Sequence, residues 1–520
     1  MANDDWEPDW SREGQDPTFF NESNTLKLNE GKTSRWGTMP ALDMLKLKLN
    51  EGKAAPRQIR ILQTGSHDIR DIVETIIRLP ATYQGKCEFV MNALEYPLLA
   101  QNVILLLIAF NFPPEEAAPL MIHMWYSALI PAAFLTRLRT TILPLIEEAC
   151  AEASCKDEQQ EYKRTWVKNR ASFQLILPRA GWNGLRDYLR VPNRLSGFTA
   201  LVARQKVTLN PERSNWVQKT LFAQLPYWRV ATMKFRRSGI LLPFGCSSGG
   251  FDTPNPTFFQ ADRTWPMPDL ADPRTSWNLV EVANGTFTAD HIAKNDLYGK
   301  LYIHIREILL RFCQQLGKRR LRLKLLCVDP VKLPEHPDLS GRRRKFDRIE
   351  TYMMAEKAAL GIDRTLAIFS PLLESRTENP KATLLTLFIT DIYAMWKSKF
   401  PEDNPKRAVK FLPTAESKHA SDAQKIRNHA SSSFFRKASR LFEHYKKSTG
   451  FDTFPDKYGI KQRKNNTIAD HWPLRPGKKA SRAIFDILEA TGASGCERYV
   501  EWERMVGDAE PIERWSEDSE

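Results

Sequence analysis

The tetrapeptide Gly65-Ser66-His67-Asp68 follows Arg57–Thr64, a run that reads as a strand, and precedes Ile69, Ile72, Val73, Ile76 and Ile77 at helical spacing. A glycine in such a turn lets backbone approach a cofactor, and the helix behind it offers unpaired N–H groups to an anion. Gly65 is the only glycine of the turn. Asp68 reads as the N-cap of the helix. His67 has the chemistry of a general base but no evident partner, because Asp68 and Asp71 are more simply helix-start residues. Cys246 stands in the flexible stretch Gly245–Gly250, which follows no convincing strand, so a nucleophile role lacks its setting. The chain contains no G-x-x-x-x-G-K-[ST], G-x-S-x-G or H-E-x-x-H sequence.

Basic residues offer a different chemistry. Lys318–Arg320 and Arg342–Lys345 are basic runs, and Phe434, Phe435, Phe442 and Tyr445 interleave with Arg436, Lys437, Arg440 and Lys446. Such a mixture suits phosphate contacts and base stacking. It equally suits an amphipathic helix with a solvated basic face, and no RNA-binding signature accompanies it.

The chain has 520 residues, 42% hydrophobic and 10% aromatic, enough to build a sizeable core. Its formal net charge is +14. Residues 1–160 hold 15 Lys and Arg against 22 Asp and Glu, whereas residues 161–520 hold 61 against 40. A basic balance permits anionic partners without naming one. The seven cysteines are dispersed without C-x-x-C spacing, which argues against a disulfide framework or a zinc finger and for a reducing, cytoplasmic setting. The apolar stretches Val103–Phe110 and Met121–Leu135 are shorter than the roughly 18–20 residues of a membrane span, so buried helices and no membrane contact are expected.

Positioning these residues requires an α/β frame. Arg57–Thr64 and Cys87–Met91 read as strands, with a helix between them and another at Leu98–Phe110, a βαβ unit with a parallel pair. Residues 115–175 read as helical with a charged break at Cys155–Arg164. Residues 180–290 read as a packed, loop-rich insertion. Asp296–Gln315 reads as an amphipathic helix, Leu321–Val328 and Phe346–Thr351 as strands, Lys381–Trp396 as a helix and Ala480–Leu488 as a late helix. All four strands are expected in one mostly parallel, discontinuous sheet. The expected divisions are a polar segment over 1–33, the first half of the sheet domain over 34–150, a helical and irregular insertion over 151–290, the second half over 291–400, and a basic, partly mobile region over 401–520.

Trp36-Gly37-Thr38-Met39-Pro40-Ala41-Leu42-Asp43 resembles the Trp-Gly-x-x-Pro-Ala-Leu-Asp signature of the domain of unknown function numbered 4470. Thr64–Ile69, Met91-Asn92 and Gln101–Leu106 resemble further segments of that family, and Asn295–Leu301, Phe346–Glu350 and Asn379–Phe388 are similar to its fungal members. The same domain forms the front of dynein axonemal assembly factor three.

The resemblance implies a Rossmann-like, methyltransferase-like fold and raises S-adenosylmethionine as a cofactor. The residues that would hold it are Gly65, His67, Asp68, Asn92 and Glu95. Two positions depart from need, His67 and Ala93. His67 replaces the family's second glycine, where a Cβ crowds a ligand, and Asn92-Ala93 replaces Asn-Asp, leaving Glu95 as the one nearby carboxylate. The expectation is a vestigial site, no catalytic residue, no metal, and no bound cofactor. The expected function is a non-catalytic one through contacts with other proteins, in assembly or scaffolding. An atypical methyltransferase and a nucleic-acid-binding protein are the alternatives. Trp36 is expected to pack against the sheet, Pro40 to open a helix, and the whole motif to act as a clasp.

Overall fold

The structure is a computed structural model and describes residues 5–18, 32, 34–65, 68–93, 95–285, 293–339, 345–399, 438–470, 481–491 and 493–505. Its strands are β1 (Gln58–Gln63), β2 (Lys86–Asn92), β3 (Leu129–Pro131), β4 (Glu161–Lys168), β5 (Ala171–Pro178), β6 (Phe251–Pro254), β7 (Arg320–Leu326), β8 (Arg348–Glu350), β9 (Thr383–Phe388), β10 (Ile460–Gln462) and β11 (Arg498–Arg504). The helices used below are α1 (Arg70–Arg78), α2 (Tyr96–Asn111), α3 (Pro114–Tyr126), α4 (Leu297–Lys318), α5 (Ile362–Phe369), α6 (Thr390–Lys399) and α7 (Ala438–Ser448).

Nine strands form one sheet in the order β10-β11-β9-β8-β1-β2-β7-β5-β4. The six from β9 to β5 are parallel, and β4, β11 and β10 each pair antiparallel with the neighbour on the inner side. The four strands expected from sequence therefore share a sheet, although more than 200 residues separate β2 from β7. β3 and β6 form a separate two-stranded ladder.

Side chains alternate across the sheet, so each strand serves two layers. Ile59, Ile61, Cys87, Phe89, Met91, Leu321, Leu323 and Leu325 enter the larger core with α1, α2, α3 and α4. Leu62, Val90, Leu326, Ile349, Leu384 and Trp502 enter the second core, against α5 and α7. α2 is apolar on every side and buried from Leu98 to Phe110, as a helix enclosed by protein must be.

Several expectations are corrected. Residues 161–178 form the β4–β5 hairpin rather than helix, because Ala171–Leu175 pairs parallel with β7 and buries Phe173 and Leu175. Lys381–Trp396 divides into β9 and α6. Thr-Leu-Leu-Thr-Leu-Phe is a continuous apolar run, and such runs do not distinguish a buried strand from a helix by periodicity. Helices at Gly197–Thr208, Ser214–Phe222 and Pro226–Ser238 give residues 180–290 more regular structure than a loop-rich insertion. No helix begins at Pro40; residues 40–46 run on without regular structure. No described helix is long and apolar enough to cross a membrane.

Candidate functional site

Open α/β sheets bind ligands beyond the carboxyl ends of their strands, where the strand order reverses. Here that place lies between β1 and β8, with β2 alongside. The register sets Gln63 beside both Met91 and Glu350, so three strand ends arrive together.

The chain itself occupies this crevice. The N–H of Thr64 donates to the Glu350 carbonyl at 2.9 Å. A Cβ at Gly65 would overlap the Thr351 carbonyl and come within 2.9 Å of the Tyr352 Cβ. Gly65 thus permits a close approach, but the approaching group is backbone from the end of β8. Tyr352 holds φ at 47°, in the left-handed region that a bulky residue adopts only under constraint. Its hydroxyl bonds the Thr38 hydroxyl at 2.6 Å, drawing the Trp36–Asp43 segment over the crevice.

Asp68 is 1% exposed and binds the Arg70 Nε at 2.8 Å. It also accepts the N–H groups of Gly37 at 3.3 Å and Arg70 at 3.1 Å. It is not the N-cap of α1: Ile69 holds that position without a side-chain bond, and Asp68 instead anchors Arg70. The Arg70 Nη1 donates to the carbonyls of Met39, at 2.7 Å, and Ser276. A Cβ on Gly37 would overlap the Arg70 guanidinium and displace it from its partners. Asp71 accepts the Leu42 N–H at 2.8 Å, and the Thr75 hydroxyl accepts that of Met44 at 2.9 Å. These side chains, of α1 and of Asp68 just before it, take the backbone N–H groups of Gly37, Leu42 and Met44 in place of a helical ladder, and Pro40 opens no helix. Trp36, 1% exposed, seals the far end, its Nε1 donating to the Trp125 carbonyl at 2.7 Å.

Two acids meet near the strand ends, Asp71 in the first turn of α1 and the buried Glu350 at the end of β8. Asp71 also accepts from Gln63 Nε2 at 3.0 Å; burial, opposed by the charge of Arg70, pushes its carboxyl up to about 6. Burial first, and then the charge of Asp71, hold Glu350 well above the usual carboxylate range.

Asn92 is buried and fully engaged. Its Nδ2 donates to the Val328 carbonyl at 2.8 Å, and its Oδ1 accepts the Val328 N–H at 2.9 Å, tying the end of β2 to the segment after β7. Glu95 is exposed at the N-cap of α2 and makes no capping bond. Glu356 accepts the Thr390 N–H and hydroxyl, each at 2.6 Å, and so fills the helix start that follows β9.

The structure therefore brings Gly65, Asp68 and Asn92 to one end of the sheet, each engaged by other parts of the chain. His67 lies outside the described residues. Sequence reasoning read Phe346–Glu350 as a ligand-placing strand end and Tyr352 only as the loss of a polar family position, and it gave Arg70 no role. Among the described residues, no group of His, Cys, Asp and Glu is arranged to hold a metal ion. Cys246 lies half-buried in a turn closed by its N–H to the Pro243 carbonyl. Phe442 and Tyr445 are buried in the second core, so their rings are unavailable for base stacking. Phe434, Phe435, Arg436 and Lys437 lie outside the described residues.

Residues 35–130 match the family model described as "Domain of unknown function (DUF4470)". No curated protein and no solved structure matches the chain.

Proposed function

We propose that this protein is a non-catalytic member of the methyltransferase-like Rossmann group, acting in the cytoplasm through contacts with other proteins in an assembly or scaffolding role. The fold part of the reading rests on strand order. With the β4–β5 hairpin set aside, the strands in chain order run 3-2-1-4-5-7-6, and the seventh is antiparallel to its neighbours. The first five follow the order of a doubly wound Rossmann sheet, which supports the reading, and the final pair is reversed.

The observation that carries the non-catalytic part is the packing of Thr351 and Tyr352 against Gly65. A cofactor would need that space, and opening it would require Tyr352 to leave both its strained backbone and its bond to Thr38. Asn92, committed to both polar groups of Val328, offers a ribose no carboxylate. S-adenosylmethionine is accordingly not a ligand on this reading, and Gly65, Asp68 and Asn92 are architectural.

The experiment is affinity purification of the full chain under gentle lysis, with quantitative mass spectrometry. Recovery of a partner in near-stoichiometric amount, with no methylated product formed on it, is expected. A purified chain that methylates a co-purifying protein in vitro overturns the proposal.

A further inference from the structure

The two faces of the sheet differ at one corner. On β1, β2, β7 and β5 the odd-numbered residues face the larger core. The even-numbered ones face the second core only near the carboxyl ends, where Leu62, Val90, Leu326 and Ile176 lie. Toward the amino ends the same face turns polar. The register sets Lys86 beside Arg320, and Glu88 and Ser172 on either side of Arg322. Val167, opposite Ser172 on β4, is 71% exposed. Parallel sheets ordinarily have both faces covered. Here Arg320 and Arg322 are exposed and Lys86 is half-exposed, so this corner is open among the described residues.

Its charge is only partly neutralised. Arg60 pairs with Glu88 at 3.5 Å, and Lys324 with Asp338 at 3.6 Å. Lys86, Arg320 and Arg322 have no ion-pair partner among the described residues. Burial first, and then the charge of Arg322, lower the Lys86 ammonium from its ordinary value, against the raising charge of Glu88.

We propose that this corner of the sheet, centred on Lys86, Arg320 and Arg322, is a docking face for an acidic segment of a partner protein, bound in extended form. Charge complementarity selects the occupant. Alternate residues of a strand lie about 6.6 Å apart and neighbouring strands about 4.8 Å apart. Arg320 and Arg322 therefore match carboxylates at alternate positions of an extended peptide, with Lys86 one strand across. Arginine adds forked donors that suit carboxylates. The Phe346 ring lies buried beneath Arg60, so a single-stranded nucleic acid would find phosphate contacts without stacking on it. A second copy of the same face would meet it with like charge. The inference rests on the protein-contact reading and names the surface and the partner's chemistry.

The test is fluorescence anisotropy on the full chain, using labelled deca-glutamate and, separately, labelled 20-nucleotide oligouridylate. The expected result is salt-sensitive binding of deca-glutamate, tighter than that of the oligonucleotide. Charge reversal at Lys86→Glu, Arg320→Glu and Arg322→Glu together should weaken it at least tenfold. The equal charge change Lys48→Glu, Arg139→Glu and Lys206→Glu, at exposed residues elsewhere, should weaken it no more than about twofold. If the triple reversal does not fold, Arg320→Gln with Arg322→Gln should weaken binding at least threefold. No peptide binding, equal weakening by both sets, or tighter binding of the oligonucleotide overturns the proposal. These readouts are independent of S-adenosylmethionine, so failure of this face is distinguishable from failure of the non-catalytic reading.

Discussion

Gly65 and Tyr352 meet across the gap between two parallel strands, with the Tyr352 Cβ within 2.9 Å of where a Gly65 side chain would begin. A glycine that elsewhere makes room for a cofactor here makes room for the next strand's own turn. The same residue type at the same place in a fold therefore serves opposite ends, and only the contact distinguishes them.

Gly65→Ala should destabilise the fold by about 1–3 kcal/mol, the usual cost of forcing a methyl into a packed site. Urea unfolding followed by circular dichroism measures it. Unchanged stability would mean that the Thr351–Tyr352 turn is free to move aside.

Asp68→Asn removes the charge opposite a buried guanidinium. Breaking one side of a buried pair costs about 3–5 kcal/mol, since Arg70 is left uncompensated. The measured midpoint should fall accordingly, and Arg70→Met in the Asp68→Asn background should recover part of the loss. A neutral single variant would contradict the clasp.

Trp36→Ala should cost about 3–5 kcal/mol, through the cavity and the orphaned Trp125 carbonyl. The expected outcome is loss of soluble protein or a large drop in melting temperature. A variant that melts normally yet loses a protein partner would make the segment an interaction surface instead of a clasp.

Stability should also depend on pH through the two acids near the strand ends. Unfolded, Asp71 and Glu350 titrate near 3.8 and 4.5; folded, Asp71 titrates at about 6 and Glu350 above its ordinary range. The folded state therefore binds more protons across this window. Their contribution is fully present below the unfolded values and is lost as pH rises through the folded ones. Glu350→Gln should be close to wild type at pH 4 and gain on it steadily toward pH 8. Chemical unfolding at four pH values checks this; a pH-independent difference would refute it.

Much of the frame was legible because local and global signals agree. Ile59, Ile61 and Leu62 announce a strand, Ile69 to Ile77 a helix, and the size of Trp36 its burial. Other parts were hidden for identifiable reasons. The irregular path after Pro40 is held by Asp71 and Thr75, about thirty residues away. The β5 run reads as readily as helix until β7 supplies its ladder. At the crevice, His67 and Ala93 signalled a weakened ligand site, but the filling group, Tyr352, lies nearly 290 residues from Gly65 in sequence. Only the register between β1 and β8 brings them together.

The central claim, that the chain's own turn closes the crevice, is tested most directly by isothermal titration of S-adenosylmethionine into the full chain. The account predicts no saturable binding up to about 1 mM, in wild type and in Tyr352→Ala alike, because Asn92 also lacks the carboxylate a ribose needs. Micromolar affinity in the wild-type chain would contradict it, since Tyr352 would then have to vacate the space beside Gly65.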